Sequence, residues 1–262
     1  MKEQLQKDFN NTIEGLSLTQ KDIEIKKFYL DNFISKGFPN RKEEDWKFSD
    51  LKQIINKNIG EISFYTDFTT TNKVDTSVYV DGLEHNKIVF INGRIEKIDF
   101  DYEKKDQIEI IDQSETVNKF NNTSSLSDLN SAFTNKSFKI AVKKDYRLVK
   151  PLIIYHTTNS KIWSKNINLR LNFELSENSC LRLIDLYSDT SEKNFLNIFY
   201  NFDLKKDSIL KNYKVDKFKN KNIKYSFNNI DQDKNSISET FILSSGSNFF
   251  KNEINCNLSG EY

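Results

Sequence analysis

The chain has 262 residues, with 39 Lys+Arg against 38 Asp+Glu, 21 Phe and 11 Tyr, but only 2 Cys, 2 His and 2 Pro. That length can bury a sizeable core, no run reaches the roughly 18 apolar residues of a membrane span, and the polar start from Met1 to Leu18 has no signal-peptide core. Balanced charge lacks the cationic footprint of a nucleic-acid binder, two thiols make no disulfide framework, and abundant Phe and Ile argue against disorder, so the expectation is a soluble cytoplasmic protein.

Residues 1–58 read as helix. Leu5, Phe9 and Ile13 recur at helical spacing before a stop at Gly15. The second segment, 20–36, opens on a capping pair, Thr19 and Asp22. Its apolar stripe is Ile23, Leu30 and Ile34, with Phe33 beside it. Gly37 supplies a left-handed cap and Pro39 blocks continuation. The string Gly37-Phe38-Pro39-Asn40-Arg41-Lys42-Glu43-Glu44-Asp45-Trp46-Lys47-Phe48-Ser49-Asp50-Leu51 follows. Its three acids suit a helix N-terminus, and Trp46 and Leu51 anchor a short helix through Ile54 and Ile55. A charged first turn around one buried Trp is the reading preferred over catalytic carboxylates.

From about residue 74 the period changes to two. Ile88 to Arg94 is an apolar run closed by a turn, residues 124–135 hold a helical patch with Leu126, Leu129 and Phe133, and Lys150 to His156 is a strand. Ile167, Leu169, Leu171, Phe173 and Leu175 alternate with Asn168, Arg170, Asn172 and Glu174, which predicts one buried and one wet face. Further strands begin near 180, 195, 209, 223, 236 and 248, without helical intervals, so βαβ units are not expected.

A longer repeat overlies these strands. Asn178-Ser179-Cys180-Leu181, Asp207-Ser208-Ile209-Leu210 and Asn235-Ser236-Ile237-Ser238 recur at offsets of 29 and 28 residues, two strands plus two turns. Asn and Asp suit such corners because they tolerate left-handed φ. The period favours a parallel β-helix over an antiparallel sandwich, whose strands recur every 8–12 residues or so.

The chemical inventory is thin. His85 and His156 are isolated and read as structural or surface residues, and no Cys/His spacing matches a zinc or iron–sulfur motif. Cys256 alternates with Ile254 and Leu258 and should point inward as a small hydrophobe, whereas Cys180 opens a strand and stays ambiguous. There is no P-loop, dinucleotide fingerprint or nucleophile elbow. Ser244 to Ser247 reads as a polar turn, and the aromatics as core rather than a base-stacking platform. No catalytic, cofactor-binding or metal residue is assigned, and the chain is not expected to be an enzyme.

The string from Gly37 to Leu51 resembles the entry motif of the SufB/SufD family of iron–sulfur cluster assembly proteins, its SufD branch in particular, with Phe48 and Ser49 in place of Tyr and Thr. Four later stretches resemble the family in order: Ile88 to Arg94, Leu129 to Phe133, Lys150 to Ile153, and Phe249 to Gly260. The resemblance implies a mainly β fold, a right-handed parallel β-helix over 61–262 preceded by a small N-terminal helical domain over 1–60. It implies a non-ATPase scaffold subunit of the SUF system, acting with a SufB-like subunit and a SufC-like ATPase. No cofactor would be bound by this chain alone, and a transient Fe–S cluster would form in the full complex. Family members continue past the point matching Tyr262, so the chain is expected to be C-terminally truncated, with the partner contacts in the missing part, and Cys256 lies before the family's cysteine region. The alternative is a secreted or structural β-solenoid, carbohydrate-active or adhesive. An enzyme of that kind should carry clustered acids on one sheet, and an adhesive solenoid leaves the Trp-Lys entry unexplained.

Overall fold

A computed structural model describes residues 2–16, 18–65, 73–112, 124–134, 137–158, 162–188, 193–217 and 222–260. Three helices open the chain, α1 (Lys2–Glu14), α2 (Gln20–Lys36) and α3 (Leu51–Asn58), and α4 (Ser125–Phe133) comes later. The strands are β1 (Ser63–Phe64), β2 (Asn86–Ile91), β3 (Arg94–Asp99), β4 (Ile108–Asp112), β5 (Ser137–Val142), β6 (Leu152–Thr157), β7 (Lys165–Leu175), β8 (Cys180–Ser188), β9 (Phe195–Leu204), β10 (Ile209–Lys217), β11 (Ile223–Gln232), β12 (Ile237–Ser245) and β13 (Phe249–Leu258).

From β6 onward, successive strands alternate between two sheets. One sheet runs β12-β10-β8-β6-β2-β3, and the other runs β13-β11-β9-β7-β5-β4 with β1 against β7. Pairing along both stacks from β2 and β5 onward is parallel. The chain is thus a parallel β-solenoid of about four turns with helices ahead of it.

The corner repeat sets the register. Cys180 pairs with Ile209 and Ile209 with Ile237. Asn178, Asp207 and Asn235 hold φ of 57°, 57° and 58°, and Asp145 at 61° extends the series one coil earlier. Their side chains also bond between coils: Asn178 Nδ2 donates to Asp145 Oδ1 (2.9 Å) and Asn235 Nδ2 to Asp207 Oδ1 (3.0 Å). At the other end of the stack the edges are blunted. β3 folds antiparallel onto β2, and β4 antiparallel onto β5. The β2–β3 turn uses Asn92 and Gly93 at positive φ, and a Cβ on Gly93 would meet Ile167 Cγ2 at 3.0 Å.

The helices cover the outer face of the β7–β9–β11 sheet. Leu5, Phe9, Leu30, Phe33, Trp46, Leu51 and Ile55 share one apolar cluster with Leu129 and Phe133 of α4 and with Phe195, Phe199, Ile223 and Tyr225 of the sheet. A second cluster fills the solenoid interior, built from inward residues of both sheets.

Several expectations change in detail. The second face of β7 is not wet throughout: Arg170 and Asn172 are buried, Arg170 beneath α4. Arg170 Nε donates to Asn130 Oδ1 (3.1 Å) and its Nη2 to Ser131 Oγ (3.0 Å). The buried stripe of α2 is Asp22, Lys26, Leu30 and Phe33, with Ile23 and Ile34 only half-buried. The stripe is polar at its start because Asp22 completes the capping box with Thr19 and Lys26 Nζ donates to the Thr134 carbonyl (2.7 Å) just past α4. Gly37 has positive φ, but its ψ of −168° is extended rather than left-handed helical. The Glu43–Asp45 acids do not open the helix of Leu51. Glu44–Trp46 form a separate 3-10 turn, and Asp50 caps α3 by accepting from the Gln53 amide (2.9 Å). Ser244 and Ser245 lie at the end of β12, and the turn starts at Gly246.

Candidate functional site

Register places a polar network inside the solenoid. On one sheet the inward column Phe90, His156, Tyr187, Asp216 and Ser244 runs beside Ile88, Ile154, Asp185, Lys214 and Ile242. On the facing sheet, Ile167, Leu196, Lys224 and Phe250 form one column, and Leu171, Tyr200, Asn228 and Ile254 another. The interior is therefore aliphatic and aromatic in the first coil and polar in the third. The shift follows from which side chains fall in the inward phase of each strand.

The contacts are close and enclosed. Asp185, with no exposed surface, accepts from His156 Nε2 (2.7 Å) through Oδ1, and from Tyr200 Oη (2.7 Å) and Lys214 Nζ (3.0 Å) through Oδ2. Tyr187 donates to the Tyr200 hydroxyl (2.6 Å). Asp216 Oδ1 pairs with Lys224 Nζ at 2.5 Å. Each ammonium also rests on a ring: Lys214 lies 3.6 Å from the Tyr200 centroid and Lys224 3.3 Å from the Tyr187 centroid, where a desolvated cation is attracted by the π face. His156 stacks between Phe90 (5.3 Å) and Tyr187 (4.1 Å).

The electrostatics divide the roles. Burial opposes ionisation of Asp185, but Lys214, His156 and Lys224 hold its carboxyl well below the usual range. Burial pushes the His156 imidazole below its ordinary value against the pull of Asp185, with Lys224 and Lys214 adding to the shift. Burial likewise lowers Lys214, opposed by Asp185. Tyr187 and Tyr200 are raised by burial and then by Asp185. At neutral pH the arrangement is an anchored Asp185 carboxylate, a neutral His156 donating to it, and two phenols kept protonated. A cavity of about 20 Å³ beside His156 and Tyr187, floored by Phe90, Leu169 and Ile198, has room for a single water. Asp216 Oδ2, Asn212 Oδ1 and Asn228 Oδ1 are buried and have no hydrogen-bond partner among the described residues.

The other candidates fall elsewhere. His85 is buried and structural: its Nδ1–H donates to the Leu83 carbonyl (2.6 Å), leaving Nε2 to accept from the Tyr155 hydroxyl (2.7 Å). Cys256 does share the inward phase, paired with Ile230, but lies on the last strand and is exposed. Cys180 sits half-buried at the start of β8 on the other sheet, so the two thiols are not brought together. Among the described residues no group of three or more His, Cys, Asp or Glu could hold a metal ion, and no helix is long and apolar enough to cross a membrane.

The Gly37–Leu51 string forms a joint. Trp46 is buried against Tyr225 (5.9 Å between rings) and Phe249 (6.3 Å), one residue from each of the last two coils. Lys251 Nζ bonds the Asp45 carbonyl (2.8 Å) and lies over the Trp46 ring (4.9 Å). The Leu129–Phe133 string is a second joint. Asn130 Nδ2 donates to the carbonyls of Leu169 (3.1 Å) and Asn197 (2.8 Å), bridging β7 and β9.

Together the fold and its interior define a two-sheet parallel β-solenoid, helix-covered on one face and crossed inside by a charge-compensated polar rung. No family model and no curated protein matches the chain.

Proposed function

We propose that this chain is a non-ATPase scaffold subunit of a SUF-type iron–sulfur cluster assembly complex, acting in the cytoplasm with a SufB-like subunit and a SufC-like ATPase. One observation carries the reading. The string that resembles the family's entry motif is the joint that fixes the helices to a parallel β-solenoid, through Trp46 on Tyr225 and Phe249. The reading thus unites the helical entry and the solenoid that the resemblance implied.

In this reading the polar rung is internal scaffolding, the chain alone turns over no substrate, and the cluster is cargo of the assembled complex.

The test is co-expression of the tagged protein, extended to the natural stop codon of its gene, with the SufB-like and SufC-like proteins of its own genome. Retention of the SufB-like subunit through purification is expected. A chain that is folded by circular dichroism and retains neither protein overturns the proposal.

A further inference from the structure

On the outer face of the β2–β6–β8–β10–β12 sheet two adjacent columns are apolar, beside a charged column of Arg182, Lys211 and Glu239, where alternation in a solenoid should leave polar residues throughout. Two outward columns run side by side: Ile153, Ile184, Tyr213, Phe241, and Val89, Tyr155, Leu186, Val215, Leu243. Their first half is covered. Val74, Val78 and Tyr79, on the segment ahead of β2, pack on Val89, Ile91, Ile153 and Tyr155. Tyr79 lies 5.0 Å from the Tyr155 ring, and the Val80 amide donates to the Tyr155 hydroxyl (3.0 Å).

The cover stops and the columns do not. Ile184 and Leu186 are partly buried at the margin of that cluster, and beyond them Tyr213, Phe241 and Leu243 are 40%, 57% and 53% exposed. The open part is three strands wide and about five residues long, on the order of 250 Å² at the usual strand spacing and rise. A stable dimer needs about 800 Å² per partner, so a second copy bound through this face alone is too small an interface. The covering segment itself turns through a 3-10 helix over Thr76–Val78, and a segment of that size and shape matches the patch. The segment from Val74 to Val80 already shows which chemistry these columns accept.

We propose that the outer face of β8, β10 and β12 is a docking surface for a short segment of a partner protein that turns as residues 74–80 do and carries β-branched and aromatic side chains at the spacing of Val74, Val78 and Tyr79. The docked segment continues the cover that residues 74–80 begin, its aromatic ring lying on Tyr213 and Phe241 and its aliphatic side chains on Val215 and Leu243. The inference stands without the function proposed above.

A fluorescent peptide with the sequence of residues 73–82 probes the surface in trans, because its own site is occupied within the chain. Saturable binding is expected. Phe241→Ser and Leu243→Ser should each weaken it about tenfold or more, the loss of one well-packed apolar anchor. Trp163→Ser, which removes an exposed aromatic outside these columns, should leave it unchanged, with circular dichroism checking that each variant is folded. Absence of saturable binding overturns the proposal. So does binding that survives both β12 substitutions, which would put the peptide on the open edge of β12 through its backbone. A dimer of the chain alone that Phe241→Ser dissociates would identify a second copy as the occupant and would also overturn it.

Discussion

Asp185 and Lys214 are register partners on neighbouring strands, and their side chains meet inside the solenoid at 3.0 Å with almost no exposed surface. The pair is enclosed on every side by its own kind of group: His156 and Tyr200 saturate the carboxylate, and the Tyr200 ring faces the ammonium. A buried ion pair adds little over a well-packed apolar pair, yet breaking it strands a charge. Asp185→Leu and Lys214→Met should therefore each cost about 3–5 kcal/mol. The double variant should cost clearly less than the sum, because neither charge is left behind. Chemical denaturation of the four proteins checks this; additive losses would show that the two residues act independently.

His156 gives the network its response to mild acid. Its folded pKa lies below the ordinary 6.5 because burial disfavours the imidazolium. A depressed folded value means that the stability contribution is full above about pH 6.5 and is lost as pH falls from there toward the folded pKa, since the unfolded chain takes up the proton first. Thermal unfolding midpoints should decline from pH 7 to pH 5, before Asp185 contributes, and His156→Gln should flatten that decline. An unchanged profile in the variant would assign the acid sensitivity to other groups.

The solenoid was legible because its determinants are local. Alternation in Ile167 to Leu175 and the left-handed corners at Asn178, Asp207 and Asn235 are properties of short strings, and a 28–29-residue offset is what one coil of two strands requires. The charged rung was not legible, since His156, Asp185, Lys214 and Lys224 come from four strands and meet only through the register between coils. A signal existed: Lys214 and Asp216 occupy the same phase as the inward Leu210, and charged residues in an inward phase must find partners. The buried side of β7 was hidden for a related reason. Nothing within the Arg170 strand announces that α4, about 40 positions earlier, lies across it.

Lys26 makes a prediction in alkali. It is buried between α2 and the end of α4, and burial, helped by Arg170, lowers its pKa from 10.5 to about 8. Between those values the unfolded chain holds a proton that the folded chain has released, so this group makes stability rise with pH. The gain from pH 8 to pH 9.5 is on the order of 1–2 kcal/mol. Above about pH 10 the tyrosines work the other way, because Tyr187, Tyr200 and Tyr225 are held above their ordinary value of 10.0 mainly by burial and ionise first when unfolded. Lys26→Met should therefore lower the slope of stability against pH between 8 and 9.5 by that amount. An identical slope would refute the assignment, whatever the variant's stability at pH 7.

The corners can be tested by substitutions that separate backbone strain from side-chain bonding. Asn235 holds φ of 58° and donates to Asp207 Oδ1 across the coil boundary at 3.0 Å. Both groups are exposed, so the hydrogen bond contributes little, whereas a left-handed φ costs an ordinary L-residue roughly 1–2 kcal/mol. Asn235→Gly removes the side chain but relieves the backbone, and should stay within about 0.5 kcal/mol of the parent. Asn235→Ala keeps the strain without the local bonding that lets Asn tolerate it, and should lose about 1 kcal/mol. Asn178→Ala and Asp207→Ala should behave alike, since each occupies the same corner one coil earlier in turn. Denaturant midpoints rank the variants. If Gly proves as damaging as Ala at these positions, the stacked side chains rather than the left-handed backbone hold the coils in register.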